Sequence, residues 1–305
     1  MPLDRPKKPD LSRILTPDLY SKVLKLNFPW DGHVDIRFAA KFFFIGEPNI
    51  SQQCFDAFHF RATKPISFIC PEIPDVRKYL PDPNDPQYPE HVLALIIVLD
   101  QMPRRMYRGV DMRYTNMFFD ATCLKLTKEL VAADALPEST DDWQRLGFSF
   151  DDAVLRKNEL YVSLVHSEDL SDHDFMVGRT EAMRKEVERH YGVRDPARDT
   201  MDKDAHDPLL FARLIKDGPP LNGSAPDFFF YFFRVVDAHR PVIKKFGRFP
   251  YRNEVMGRET TAREKEFLKA TENFGSAGLS EAEVERLRKQ VKDGIWDELS
   301  DRGPR

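Results

Sequence analysis

Three groups of polar residues could carry chemistry in this chain. The first is Asp100, Gln101, Arg104, Arg105 and Arg108, where the apolar run HVLALIIVLDQ gives way to acid, amide and guanidinium groups. Arginines just past a helix C-terminus are stabilised by the partial negative charge there. That does not explain an acid and an amide closing an apolar helix; such side chains look in on a cavity or hold partner backbone. The second group is His166-Ser167-Glu168-Asp169, with Asp172 and His173 behind it. A histidine or carboxylate in a partly buried pocket with a shifted pKa is a general acid or base, so His166, Glu168 and Asp100 are the candidate catalytic residues. The structural account is open beside it: Ser167 and Asp169 cap the following helix while Glu168 pairs with an arginine. His166, Asp169 and His173 fall on one face of a continuous helix. No HExxH-type spacing supports zinc, so no metal is expected.

The third group is Asp237, His239 and Arg240 with the stretch KKFGRFPYRNEVMGRE, which sets Lys244, Lys245, Arg248, Arg252 and Arg258 among Phe246, Phe249 and Tyr251. Guanidinium groups interleaved with aromatic rings suit a planar or anionic ligand. The same arginines need counter-charges, and Asp100, Glu168, Asp237 and Glu259 can supply them internally.

The elements that must position these groups read as helices. Thr16-Pro17 starts a helix running to about Asn27. Aromatic helical segments follow over 35–45 and 51–62. Seven prolines between Pro65 and Pro89 predict a long surface excursion, with a short helix over 75–79. His91–Gln101 reads as a buried helix that Pro103 ends or kinks. Amphipathic helices are predicted over 113–133, 151–165 and 172–191, with a connecting turn at 141–146. The charged segment 194–207 reads as a mobile insertion. The run DFFFYFFRVVDAHRPVIKKFG is a helix buried on most sides, kinked by Pro241, with Arg234, Asp237 and Arg240 sharing one face. Thr260-Thr261 caps a helix to about Asn273 and Ser280 starts the last one, with Val284, Leu287, Val291, Ile295 and Leu299 on one stripe. No alternating strand pattern and no phosphate-cradling glycine motif is present. The expected architecture is all-α: a loose arm over 1–15, one helical domain over 16–275 with insertions near 65–89 and 192–207, and a C-terminal amphipathic helix over 276–305 docking on it.

Bulk composition narrows the function class. A chain of 305 residues can bury a substantial core, and a formal charge of −4 leaves any nucleic-acid contact to a local patch. The scattered Cys54, Cys70 and Cys123 fit a reducing compartment. No secretory leader is visible, and apolar runs of about ten residues are too short to span a bilayer. A cytoplasmic protein without a membrane partner is expected.

In order, LALIIVLDQMPRRMYRG, LVHSEDL and HRPVIKKFGRFPYRNEVMGRETTAREKEFL resemble the three motifs of domain-of-unknown-function family 924. The resemblance covers about residues 28–275. Arg105 stands where the family usually has Asn, and Tyr251 where it usually has His. The resemblance implies a helical fold similar to tetratricopeptide-repeat hairpins, packed around the motif residues. The long, insertion-bearing form is similar to a fungal branch of arginine-containing cyclodipeptide synthases, which implies arginyl-tRNA and a second aminoacyl-tRNA as partners and no cofactor. An aminoacyl ester is already activated, so such an enzyme needs no ATP. It needs an acidic pocket for a guanidinium, a base for the attacking amine and a basic rim for the acceptor stem. On this reading Asp100, Glu168 and Asp169 hold the guanidinium and His166 or Glu168 is the base. Gln101, Arg104, Arg108, Asp237, His239, Arg248, Tyr251, Arg252, Asn253 and Arg258 line the substrate site, and Lys244, Lys245 and Arg252 meet the tRNA. The alternative is a non-enzymatic helical module that binds a partner, its arginines held in internal ion pairs.

Overall fold

Helices account for all regular secondary structure among the residues described by the computed structural model, which are 8–30, 33–45, 48–275 and 278–304. The all-α expectation therefore holds. Pro17–Asn27 (α1), capped by Thr16, and Pro48–Phe58 (α2) precede the helix that organises the rest, Tyr88–Leu99 (α3). Its residues from His91 to Leu99 are all buried. A helix with no polar face must be covered on every side. It is covered by α1, Gln101–Met106 (α4), Asp120–Ala132 (α5) and Phe150–Leu160 (α6). A second layer comprises Leu170–Tyr191 (α7), Leu210–Asp217 (α8), Ala225–Asp237 (α9) and Arg240–Phe246 (α10); α7 packs on α9 and α10, and α8 on α9. Ala262–Ala270 (α11) and Glu281–Asp293 (α12) complete the chain, each opened by a capping box, Thr261 with Glu264 and Ser280 with Glu283.

Several boundaries differ from the sequence reading, each for a physical reason. The break expected at Pro103 falls one turn earlier, at Asp100. A proline has no N–H for the carbonyl four residues before it and its ring crowds that carbonyl, here that of Leu99, so α3 ends there and Pro103 sits in the first turn of α4. The segment read as a turn at 141–146 is a helical turn, Thr140–Arg145, because Trp143 is driven into the core. The helix read over 151–165 stops at Leu160 and resumes as Val162–Val165. The charged segment 194–207 is not loose: Asp195 is buried against Arg184, Arg198 bonds Glu181 and Glu188, and Asp204 bonds Arg234. The last helix stops at Asp293, where Gly294 turns left-handed, so its stripe splits: Leu287 and Leu299 are buried and Ile295 is exposed. The arm read over 1–15 lies outside the described residues up to position 7, and beyond it Leu11 and Leu15 are buried. No described helix is long and apolar enough to cross a membrane.

Candidate active site

The break between α3 and α4 leaves Asp100 fully buried at a helix junction, its carboxylate turned to a set of polar side chains. Gln101 Nε2 donates to its Oδ1 at 2.7 Å and Arg104 Nε lies 3.3 Å from the same oxygen. Its Oδ2 is 2.9 Å from His166 Nδ1. Arg104 also donates to Asp120 Oδ1 at 2.7 Å, and Arg252 Nη1 is 3.4 Å from Asp120 Oδ2. Two arginines thus balance two buried acids, which is what a desolvated charge cluster requires. Burial opposes ionisation of Asp100, but Arg104, His166 and Arg252 hold its carboxyl well below the usual range.

His166 follows the short turn Val162–Val165 and opens the loop into α7. Its Nδ1 lies between the Asp100 carboxylate and Arg104 Nε, the latter at 3.1 Å. The shorter contact, to an ionised acid, selects the Nδ1–H tautomer. Nδ1 then donates to Asp100, and Nε2 has no partner among the described residues. Burial and the Arg104 charge lower the His166 pKa, so the ring is neutral near pH 7. The rest of the loop is structural. Ser167 Oγ donates to Asp172 and accepts from the Asp169 N–H, Asp169 caps α7 through Ser171, and His173 Nε2 donates to the Ser167 carbonyl.

The third motif wraps over this junction. Gly247, at φ 67°, ends α10 in the left-handed region. Pro250–Arg252 then forms a tight turn that buries Arg252, whose Nη1 donates to the His166 carbonyl at 2.9 Å and whose guanidinium lies 4.5 Å above the Phe249 ring. Arg258 clamps Glu168 by two hydrogen bonds, of 2.5 and 3.1 Å, and Glu168 also accepts from the Phe249 N–H at 2.9 Å. Burial alone would raise the Glu168 pKa; these donors lower it. Arg248 is held by Glu264 in the α11 capping box.

These loops enclose a cleft of about 740 Å³, in the range of small-molecule sites. Of the residues singled out by sequence, Arg104, Arg108, His166, His239, Tyr251 and Arg252 line it. His239 Nδ1 donates to the Val235 carbonyl at 2.9 Å, which leaves Nε2 as an acceptor; burial and the neighbouring His166 push its pKa well down. The others lie elsewhere. Asp100 is sealed beneath the cleft and Gln101 is bonded to it. Glu168 and Arg258 neutralise one another. Asp169 is an exposed cap, Arg248 belongs to α11, and buried Asn253 approaches Thr260 Oγ1 at 3.4 Å. Asp237 faces a different cavity. Lys244 and Lys245 are exposed on the last turn of α10, and Lys245 borders a shallow groove with Arg248 and Arg263. The expected guanidinium clamp of Asp100, Glu168 and Asp169 is therefore not assembled: burial, an ion pair and a helix cap have taken those carboxylates.

Three residues that the sequence reading passed over help to build the site. Asp120 is the counter-charge shared by Arg104 and Arg252; it follows a π-helical turn, Thr115–Phe119, that resets the helix face. A lone acid inside MFFDATCL was its signal. Phe211 packs against His239 with ring centroids 4.0 Å apart and the ring planes tilted by 41°. Glu254 is the cleft's only acidic lining residue among those described, and it accepts from the Leu279 N–H at 3.0 Å. No described group of histidines, cysteines and acids could hold a metal ion.

Fold and site together define an all-helical protein in which three separated motifs converge on one histidine- and arginine-lined cleft. Residues 28–272 match the model of the family described as "Bacterial protein of unknown function (DUF924)", and the chain belongs to that family. Searches of curated proteins and of solved structures return no match to the chain.

Proposed function

We propose that the cleft is the active site of an aminoacyl-tRNA-dependent cyclodipeptide synthase that makes cyclo(Arg-Xaa) without ATP, as in the fungal branch that the long, insertion-bearing form of the chain resembles. The observation that carries this reading is the Asp100–His166 pair. A neutral imidazole is backed by a buried carboxylate through Nδ1 and presents Nε2 on the cleft side, beside two arginines. Nε2 takes a proton from the α-amine of one aminoacyl group as it attacks the ester carbonyl of the other. Arg104 and Arg252, which line the cleft with His166, supply positive charge for the developing oxyanion. The tRNA 3′-oxygen leaves with the proton, and a second attack of the same kind closes the diketopiperazine and frees the second tRNA. Glu254 replaces the clamp expected from sequence as the acceptor for the substrate guanidinium. Phe211 and Tyr251 offer ring faces for the terminal adenosine, and Lys244 and Lys245 offer charge to the acceptor stem. The test is incubation of the purified protein with charged tRNAs. The expected result is an arginine diketopiperazine that ribonuclease abolishes. Undiminished product from free amino acids and ATP after ribonuclease treatment would overturn the tRNA route.

A second reading is favoured by one observation: most motif arginines already have acidic partners, Arg104 and Arg252 with Asp120, Arg248 with Glu264, and Arg258 with Glu168. In it the motifs hold a non-enzymatic binding module together. The His166→Ala variant separates the two. The enzyme reading requires loss of product with tRNA binding retained, whereas the module reading requires no product from the wild-type chain.

A further inference from the structure

A second imidazole lines the cleft beside His166. His239 sits between α9 and α10, and its ring is fixed by three neighbours. Nδ1 donates to the Val235 carbonyl at 2.9 Å, Phe211 packs against the ring with centroids 4.0 Å apart, and Phe249 meets it edge-on at 5.9 Å. His166 is fixed through the bond from its Nδ1 to Asp100. Each ring thus gives its Nδ1–H to the protein and keeps a lone pair on Nε2. Neither Nε2 has a hydrogen-bond partner among the described residues, and neither is among the partnerless side-chain atoms sealed in the interior. Both rings line the cleft.

The spacing of the rings selects what can bridge them. Their centroids are 6.3 Å apart and their planes meet at 71°. A nitrogen that donates to Nε2 at about 2.9 Å lies about 4 Å from the ring centre, and a tetrahedral nitrogen donating to two rings sets their centres about 6.5 Å apart. Two acceptors at that spacing match the two N–H groups of one neutral primary amine. A hydroxyl has one proton and satisfies one ring; a carboxylate or phosphate anion satisfies neither. An ammonium has the protons but would lie beside Arg104 and Arg252 with only neutral rings to hold it. A metal ion would find two nitrogens and no third ligand among the described residues.

We propose that the two Nε2 atoms hold the attacking α-amine together, His166 as the base and His239 as the acceptor that aims it. This assignment rests on the reaction proposed above. The division of roles follows from what backs each ring. The carboxylate behind His166 stabilises the imidazolium that proton transfer makes, whereas the peptide carbonyl behind His239 brings no charge to do so. With both N–H groups held, the nitrogen lone pair is left to face the ester carbonyl. As the N–C bond forms and the bond to the tRNA 3′-oxygen breaks, one proton passes to His166 Nε2 and on to that oxygen. The other stays on nitrogen, held by His239, and becomes the N–H of the new amide. Burial and the neighbouring His166 keep His239 unprotonated, in line with that passive role.

The probe is L-arginine methyl ester, followed by the Nε2 resonances of His166 and His239 in ¹⁵N-histidine protein at about pH 8.5, above the ordinary α-amine pKa. His166→Gln and His239→Gln assign the signals. The expected result is a saturable shift of both signals, with Nα-acetyl-L-arginine methyl ester, which has no amine, moving at most one of them. A shift at His166 alone, or equal shifts of both with the acetylated ester, overturns the assignment. Two variants separate this role from a structural one. His239→Asn keeps an amide N–H for the Val235 carbonyl and removes the cleft acceptor, whereas His239→Gln carries its amide at the Nε2 position and restores an acceptor there. The kcat for cyclic dipeptide should fall at least ten-fold in His239→Asn with KM for charged tRNA little changed, and His239→Gln should recover most of that loss. The reverse order would mark His239 as a strut on Val235 and overturn the assignment. If the wild-type protein makes no cyclic dipeptide, the tRNA reading fails, and the titration still decides on the amine: shifts of both signals uphold its capture, and their absence overturns it.

Discussion

His166 works as a base because its surroundings keep it unprotonated. Burial and Arg104 lower its pKa, and the Asp100 carboxylate only partly offsets them. A base must be deprotonated to act, so kcat/KM should rise with pH through a limb whose midpoint lies below 6.5 and reach its plateau by neutrality. His166→Ala should reduce kcat/KM by about 10²–10⁴-fold, the usual worth of a positioned base. Product quantified by mass spectrometry across pH checks both statements; a limb above 6.5 would assign the base elsewhere. Glu254 is testable by the same assay. Glu254→Gln keeps an acceptor for the Leu279 N–H but removes the cleft's acid, so the preference for arginyl over the neutral citrullyl ester should collapse while the melting temperature stays put.

At the scale of elements, the third motif is tied down by two devices that can be broken one at a time. Gly257 sits at φ 66°, and a Cβ there would stand 3.0 Å from Val291 Cγ2 and 3.2 Å from Arg288 Cα on α12. Gly257→Ala adds backbone strain and a steric clash, and should destabilise the protein by about 1–3 kcal/mol. Protection of α12 amides in hydrogen exchange should fall before that of α3. Arg258→Ala leaves Glu168 with the Phe249 N–H as its remaining hydrogen-bond donor among the described residues, and should cost about 2 kcal/mol, a typical value for a lost charge-assisted bond. Denaturant melts give the value, and a change indistinguishable from zero would mean that the Glu168–Arg258 pair is carried by solvent.

At the scale of the whole molecule, the chain carries histidines, four of them buried and His166 partly so, whose pKa values are all lowered, with desolvation the leading cause: His59, His91, His166, His173 and His239. For such a group the unfolded chain binds more protons than the folded one just below pH 6.5, so its stability is complete above that pH and lost as the pH falls through it. Glu159 works in the opposite sense. Burial raises it to about 8, so its contribution is present at low pH and fades as pH rises towards that value. A single variant removes this background: His239→Gln should lose less melting temperature than the wild type between pH 7.5 and pH 5.5. Parallel curves would show that His239 is not the buried neutral ring that its bond to Val235 implies.

Periodicity and punctuation in the sequence determined the helical class, the burial of His91–Leu99 and the positions of the caps at Thr16, Thr261 and Ser280, because these depend on neighbours three or four residues away. The three motifs were legible as groups for the same reason, and the internal pairing of their arginines was legible as one of two outcomes. What the sequence alone left open was which acid each arginine would meet. Asp100, Glu168 and Asp237 look alike as letters, yet one is sealed under the cleft, one is neutralised by Arg258 and one faces a separate cavity. Asp120, Phe211 and Glu254 joined the site without a local signal strong enough to name them. Whether a carboxylate is a ligand, a counter-ion or a cap depends on desolvation and on partners 60 to 90 residues away, such as His166 for Asp100 and Arg258 for Glu168, and those are brought together only by the packing of helices around α3.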